Sequence, residues 1–415
     1  MRLFGGFSLG RWFGFEIRID YSWFLIFFLV VWTLSSAEFP RQLPGAGVTV
    51  HYVMGTVAAL LLFLSVLLHE LSHSVVARSR GLEVEGITLF IFGGVAQTRM
   101  EAKTAADEFL LTIAGPLSSV AIGGAFWSLA LLADVVGGPM SVITVARTLA
   151  IVNVALALFN MIPGFPLDGG RIFRSAVWHF TGDVEMATRW ASRAGQAFGY
   201  LLVGFGLLSL WQGYMLNGLW AAFIGWFLSS AASSSWRQFQ ARQLLAHVPV
   251  ERVMTADPVA LDAEARVADV VEEHFLRRPF SAYPVTRGRE VVGLVTLDDV
   301  SEVPPDRRHA TPISAIMTRL DDVPTAEPGE TLDEVLSRVS AADLNRVVVV
   351  RDGRLVGLVT MGEIAGWLER ARKLGLEEGE VPPPVGAGDR SPAEGAEAAP
   401  DAERDETESP PRRER

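Results

Sequence analysis

The chain has no cysteine among its 415 residues. That excludes disulfides and thiolate metal ligands, so any bound metal must be held by His, Asp or Glu. It also has no excess of basic charge: the formal net charge is -11 and the pI about 5.2. The negative charge lies largely in the C-terminal part, which argues against a nucleic-acid partner. Long apolar runs are absent after about residue 236, although 50% of the chain is hydrophobic. No single uniform domain combines these properties. Residues 1–236 hold the apolar runs, and the rest reads as a soluble α/β chain with an acidic tail. The segment MRLFGGFSLGRWFGFEIRID lacks a small-residue cleavage site after a short apolar core, so it reads as a retained cytosolic start or an interfacial segment.

A membrane helix needs about 20 mostly apolar residues. Six candidates are present, at roughly 20–37, 52–78, 107–133, 144–162, 194–212 and 217–233. Arg2, Arg11 and Arg18 precede the first. Arg78, Arg80, Arg99 and Lys103 lie between the second and third, and Arg171, Arg174, Arg189 and Arg193 between the fourth and fifth. Arg237 and Arg242 follow the sixth, whereas the alternate loops carry only Arg41 and Arg147. This asymmetry predicts a multi-pass protein with both termini in the cytosol. The other reading is a soluble protein with buried helices; span length and charge asymmetry argue against it.

Polar residues interrupt two spans. His69-Glu70-Leu71-Ser72-His73 follows the run AALLLFLSVLL directly. On a helix, residues four apart share a face, so both imidazoles can reach one metal, with Glu70 beside them to accept a proton from water. Zinc is the expected ion, since imidazole and carboxylate ligands suit it and it lowers the pKa of a bound water. A chance pattern on a solvated helix is the other reading, but two His and a Glu in lipid are hard to explain structurally. A catalytic zinc takes three protein ligands. The best third candidate is Asp168, in the segment Asn160 to Arg171 with sequence NMIPGFPLDGGR. Pro163 and Pro166 would break a helix there, and Gly169 and Gly170 would let the backbone turn tightly. Taken alone, the segment reads better as a helix-ending loop with Asp168 as a cap.

Together, HExxH in an early span and FNxxPxxPLDGG in a later one resemble the site-2 protease family of intramembrane metalloproteases. The resemblance covers roughly residues 1–235 and includes Gly93-Gly94 and Ala114-Gly115-Pro116. It implies His69, His73 and Asp168 as zinc ligands, Glu70 as catalytic base and Asn160 as the amide that stabilises an oxyanion. Asn153 is a second polar residue in the same span, expected to bond between helices. The implied substrates are single-span membrane proteins, such as anti-sigma factors or membrane-tethered regulators, in a bacterial cell membrane. Residues 82–98, too short to span, suggest a hairpin dipping into the membrane face. Its edge would either pair with an unwound substrate strand or be purely structural.

The C-terminal half contains a repeat. Val253-Met254-Thr255 returns as Ile316-Met317-Thr318, and Gly293-Leu294-Val295-Thr296 as Gly357-Leu358-Val359-Thr360. Each unit runs from a Met-Thr opening through a helix to two strands and a final helix, which implies stacked pseudo-symmetric units. The repeat resembles a tandem pair of CBS domains, at 248–309 and 310–372. That resemblance implies ATP or AMP in the cleft between units, with Thr296 and Asp299 matching the G-h-h-T/S-x-x-D signature. Thr360 and Glu363 depart from it by one methylene. A nucleotide-free dimerisation module is the other reading, and a homodimer through this pair is expected in either case. His247, His274 and His309 lack metal spacing and read as surface or capping residues. Residues 376–415 have almost no large apolar side chain and read as a disordered acidic tail.

The expected architecture is therefore an α-helical polytopic membrane domain of about six spans with a small β-hairpin insert, at 1–236. An α/β CBS pair and a disordered tail follow. The expected function is regulated intramembrane proteolysis by a zinc endopeptidase. A CBS-regulated transporter or channel would spread ionisable residues along several spans. Here they concentrate at HExxH and LDGG. An inactive scaffold is disfavoured by the intact His69, Glu70, His73 and Asp168.

Overall fold

The computed structural model describes residues 5–12, 14–82, 84–91, 93–98, 102–339 and 346–374. The expected tail, 376–415, lies outside the described residues. The N-terminal half opens with two strands, β1 (Gly6–Trp12) and β2 (Phe15–Asp20). Helices α1 (Ser22–Gln42) and α2 (Val48–Ser79) follow. The hairpin of β3 (Val84–Phe90) and β4 (Gly93–Thr98) comes next. Five helices complete this half: α3 (Ala105–Val135), α4 (Met140–Asn160), α5 (Asp168–Thr181), α6 (Val184–Trp211) and α7 (Met215–Ala246). All except α5 are long and apolar enough to cross a membrane, and they overlap the six expected spans. Large apolar side chains such as Leu25, Phe28, Leu132, Leu201 and Phe205 stand exposed on them. A water-soluble surface rarely carries so much, whereas lipid accepts it.

The N-terminal segment is built of strands. It is a hairpin joined to β3 and β4 in one four-stranded sheet of order β1-β2-β3-β4. β2 pairs in parallel with β3, and the two outer pairs are antiparallel. The cause is a period-two pattern in FEIRID: Phe15, Ile17 and Ile19 are buried while Glu16 and Arg18 face outward. Ile17 and Ile19 form a core with Ile87, Leu89, Trp23 and Leu67, which fixes the sheet on α1 and α2. Arg78, five residues past His73, lies 3.7 Å above the Phe15 ring and ties this sheet to the end of α2.

Helices α6 and α7 pack backbone to backbone. A methyl on Gly199 would sit 2.7 Å from the Gly225 carbonyl oxygen, and one on Gly206 2.6 Å from that of Gly218. Small residues allow this approach, which substitutes for hydrophobic driving force in lipid. The sixth span was expected to end at 233, but α7 continues to Ala246 without a break. Its Leu245 is buried with Val248, Val250, Leu332 and Val335, so the last membrane helix ends inside the core of the C-terminal half.

That half contains short strands β5 (Thr255–Ala256) and β6 (Leu261–Asp262), helix α8 (Val267–Val270), and the hairpin β7 (Ala282–Arg287) and β8 (Glu290–Thr296). After α9 (Leu297–Ser301) the pattern repeats as β9 (Thr318–Arg319), β10 (Thr325–Ala326), α10 (Leu332–Val339), β11 (Arg346–Arg351), β12 (Arg354–Thr360) and α11 (Met361–Lys373). One sheet of order β10-β11-β12-β8-β7-β6 runs through both units. The Met-Thr openings are exchanged: β5 pairs with β12 of the second unit and β9 with β8 of the first. Gly357 and Gly293 permit this, since a side chain there would strike Met254 and Met317 respectively.

Candidate metal centre

His69 and His73 lie on the same face of α2 and are both buried. Asp168 reaches them from the first turn of α5. Its Oδ2 is 3.1 Å from His69 Nε2 and 3.3 Å from His73 Nε2, and the two Nε2 atoms are 3.3 Å apart. Arms of about 2.0–2.1 Å at tetrahedral angles put zinc donors about 3.3 Å apart. The three separations therefore match a tetrahedral metal with one position left for a non-protein ligand. Among the described residues, this is the group of three His, Asp or Glu with atoms close enough to share an ion.

The donors are oriented from α3. His69 Nδ1 lies 2.9 Å from Ser119 Oγ, and His73 Nδ1 lies 2.8 Å from the Leu111 carbonyl oxygen. Donating Nδ1–H to these oxygens leaves both Nε2 lone pairs directed at the centre. Gly115 of the same helix completes the cradle: a methyl there would collide with both Nε2 atoms. On the opposite side Gly94 of β4 lies against the Glu70 side chain, so the hairpin edge borders the expected base. His73 is six residues from the end of α2, about 9 Å along the helix axis.

Asp168 does not cap its helix. Leu167 is the N-cap, and the carboxylate points to the histidines instead. Gly169 and Gly170 lie within α5 and serve close approach: a methyl on Gly169 would strike the Met161 carbonyl group, and one on Gly170 the Gly164–Phe165 backbone. This packing folds α5 back against the end of α4, where half-buried Asn160 is the last residue. Asn153 does not bond between helices. Its Nδ2 donates to Leu149 O of its own helix at 2.8 Å, and its buried Oδ1 has no partner.

In the C-terminal half, Thr296 and Thr360 start helices. Thr296 with Asp299 and Thr360 with Glu363 each form a reciprocal capping box. Glu363 also accepts a hydrogen bond from Thr255 of the exchanged opening. A cavity of about 320 Å³ between the units is lined by Phe280, Ser281, Arg346, Thr360 and Gly362, among others. Thr296 and Asp299, the pair that matches the signature in full, are not in its lining. Arg346 Nη2 donates to Ser281 Oγ at 2.6 Å, linking the two units. Burial pulls the Arg346 guanidinium below its usual pKa, and Asp298 and Asp299 act in the opposite sense.

The model of peptidase family M50 matches residues 57–135 and 131–202, and the CBS domain model matches 250–306 and 313–370. The chain is 38% identical over 359 residues to Rip3 of Mycobacterium tuberculosis, whose name includes the words zinc metalloprotease. That match covers 86% of this chain and 91% of Rip3. The chain belongs to peptidase family M50. In this site-2 protease family it is also 27% identical to zinc metalloprotease MJ0392 of Methanocaldococcus jannaschii, over 77% of this chain and 87% of that protein. A solved site-2 protease from the same organism aligns with 56% of this chain and 96% of its own, at 27% identity and a TM-score of 0.40. The M50 chain is thus a multi-pass metalloprotease with a tandem CBS pair.

Within the M50 site, sequence reasoning missed Ser119, the Leu111 carbonyl and the Glu108–Arg174 pair beside them. Ser119 had a signal: a small polar residue one turn past the quoted Ala114-Gly115-Pro116, on the same helix face. Ser119→Ala is expected to weaken zinc binding by about 10–100-fold, the usual loss when a histidine's outer hydrogen bond is removed. Competition against a chelator of known zinc affinity measures this; unchanged affinity would show that Ser119 does not orient His69.

Proposed function

We propose that this protein is a zinc endopeptidase that cuts single-span membrane proteins in or beside their membrane segment. His69, His73 and Asp168 hold the zinc, Glu70 is the general base and Asn160 the oxyanion donor. The observation that carries the reading is the set of three mutual donor distances, 3.1, 3.3 and 3.3 Å. When bound, zinc lowers the pKa of a water molecule and polarises a carbonyl. Glu70 accepts a proton from the attacking water and later delivers it to the leaving amine. The Asn160 amide donates to the developing oxyanion. Gly94 against Glu70 supports a substrate strand adding to the β4 edge, which would expose its carbonyl groups to attack.

The units are 1–236 for proteolysis, 248–309 and 310–372 for the CBS pair, and 376–415 for the tail. Arginine placement supports cytosolic termini in a bacterial cell membrane. Substrates of the anti-sigma or membrane-tethered regulator class fit a protease coupled to a sensing module. The CBS pair takes ATP or AMP and pairs two copies of the chain, with Thr296, Asp299, Thr360 and Glu363 as the polar contacts and Arg346 on the phosphates. The unbroken α7 supports transmission of the bound state to the membrane half. Calorimetry with ATP and AMP tests the sensing part. Arg346→Ala is expected to weaken binding about tenfold, the loss of one charge-assisted hydrogen bond; absence of binding to the unaltered protein overturns it.

The protease reading is tested with purified protein in liposomes carrying a single-span reporter. The expected result is cleavage mapped within or next to the reporter's membrane segment and abolished by a zinc chelator. Chelator-resistant cleavage, or cleavage confined to a soluble domain, would contradict it.

A further inference from the structure

Helix α3 gathers three groups on one buried face beside the metal centre. Leu111 supports His73, Gly115 cradles both Nε2 atoms and Ser119 supports His69. One turn earlier on the same face stands Glu108, fully buried. Its partner is Arg174 of α5, also buried, whose Nε lies 2.8 Å from Oε1 and 3.1 Å from Oε2. Arg174 Nη2 adds a further short contact, and Arg171 Nε lies 3.7 Å from the same carboxylate. Two-point contact with a planar guanidinium fixes direction as well as distance. Arg174 is six residues, about 9 Å along the helix, from Asp168.

We infer that the Glu108–Arg174 ion pair is the positioning clamp of the third metal ligand. It locks α5 onto α3 and so holds Asp168 at donor distance from histidines that α3 itself orients. Residues 108, 111, 115 and 119 of one helix then set all three donors, which come from two other helices. A charged pair placed in a membrane protein's interior merely to glue helices would be replaceable by apolar packing. A clamp is not, because apolar contacts lack the directionality that sets the position of α5. The inference rests on the zinc reading above.

The test uses the full chain in detergent. Single neutralisation, as in Glu108→Gln, strands a buried charge and can prevent folding. Two other variants avoid this. Arg174→Lys keeps the charge but loses the planar fork. The double variant Glu108→Leu/Arg174→Met removes both charges. Zinc affinity is read by chelator competition, and folding by helicity and by thermal unfolding with the metal removed. The expected result is wild-type helicity and metal-free unfolding in at least one of the two, with zinc affinity lowered about 10–100-fold in every variant that folds. If either variant folds like wild type and binds zinc as tightly, the pair is structural glue and the inference is overturned. If the unaltered protein binds no zinc, the zinc reading fails instead, and the two failures are distinct.

Discussion

Glu70→Gln retains its zinc and loses proteolysis. The substitution keeps the size and shape of the side chain, so its contact with Gly94 persists and neither His69 nor His73 is displaced. What disappears is the basic oxygen that accepts a proton from water and returns it to the amine. Positioned general acid–base groups contribute about 10²–10⁴-fold. The cleavage rate of the single-span reporter is therefore expected to fall about 10³-fold or more, with zinc content unchanged. A variant that cuts at the wild-type rate would remove Glu70 from its assigned role. One that loses its zinc would make Glu70 a ligand and not a base.

Asp168→Ala strips the metal. Two histidines remain, and the substituted position lies inside the first turn of α5, where the backbone offers no acceptor in place of the carboxylate. Loss of an outer-shell partner costs up to about 100-fold in metal affinity. Removal of a direct donor is expected to exceed that. Helicity should persist, because the packing of Gly169 and Gly170 against the 161–165 turn and the Glu108–Arg174 pair stay in place. Zinc retention by the alanine variant would mean that another group completes the site.

The contrast between these two substitutions follows from features that were legible in the sequence. HExxH is local: helical periodicity alone puts His69 and His73 on one face. The six spans declare themselves by length and composition. Asp168 needs the two motifs read together, since its own segment alone reads better as a capped helix. The CBS repeat was visible in its doubled Met-Thr and Gly-h-h-Thr motifs, but the exchange of openings was not. That exchange depends on two-residue strands finding distant partners: Thr255 of β5 pairs with Leu358, and Thr318 of β9 pairs back with Leu294.

Other features were hidden because they are non-local. β2 pairs in parallel with β3 across α1 and α2, and no local pattern predicts a partner at that distance. The alternation in FEIRID is local, but the strand it pairs with is not. Arg174 counts in the sequence as an orientation-setting charge beside a span, and only its burial against Glu108 reveals a pair. Gly169 and Gly170 read in the sequence as turn residues, whereas in the fold they serve helix-to-turn approach. In each case the residue type was correctly singled out or nearby, and the missing information was its partner.

The measurement that tests the central claim most directly is zinc-edge X-ray absorption on the purified full chain, with metal content determined on the same sample. The account predicts one zinc per chain, with four nitrogen or oxygen neighbours at about 2.0–2.1 Å and the multiple-scattering signature of two imidazoles. Asp168→Ala should lose most of that zinc. A protein with no bound zinc, or a zinc whose spectrum carries no imidazole signature, would contradict the account.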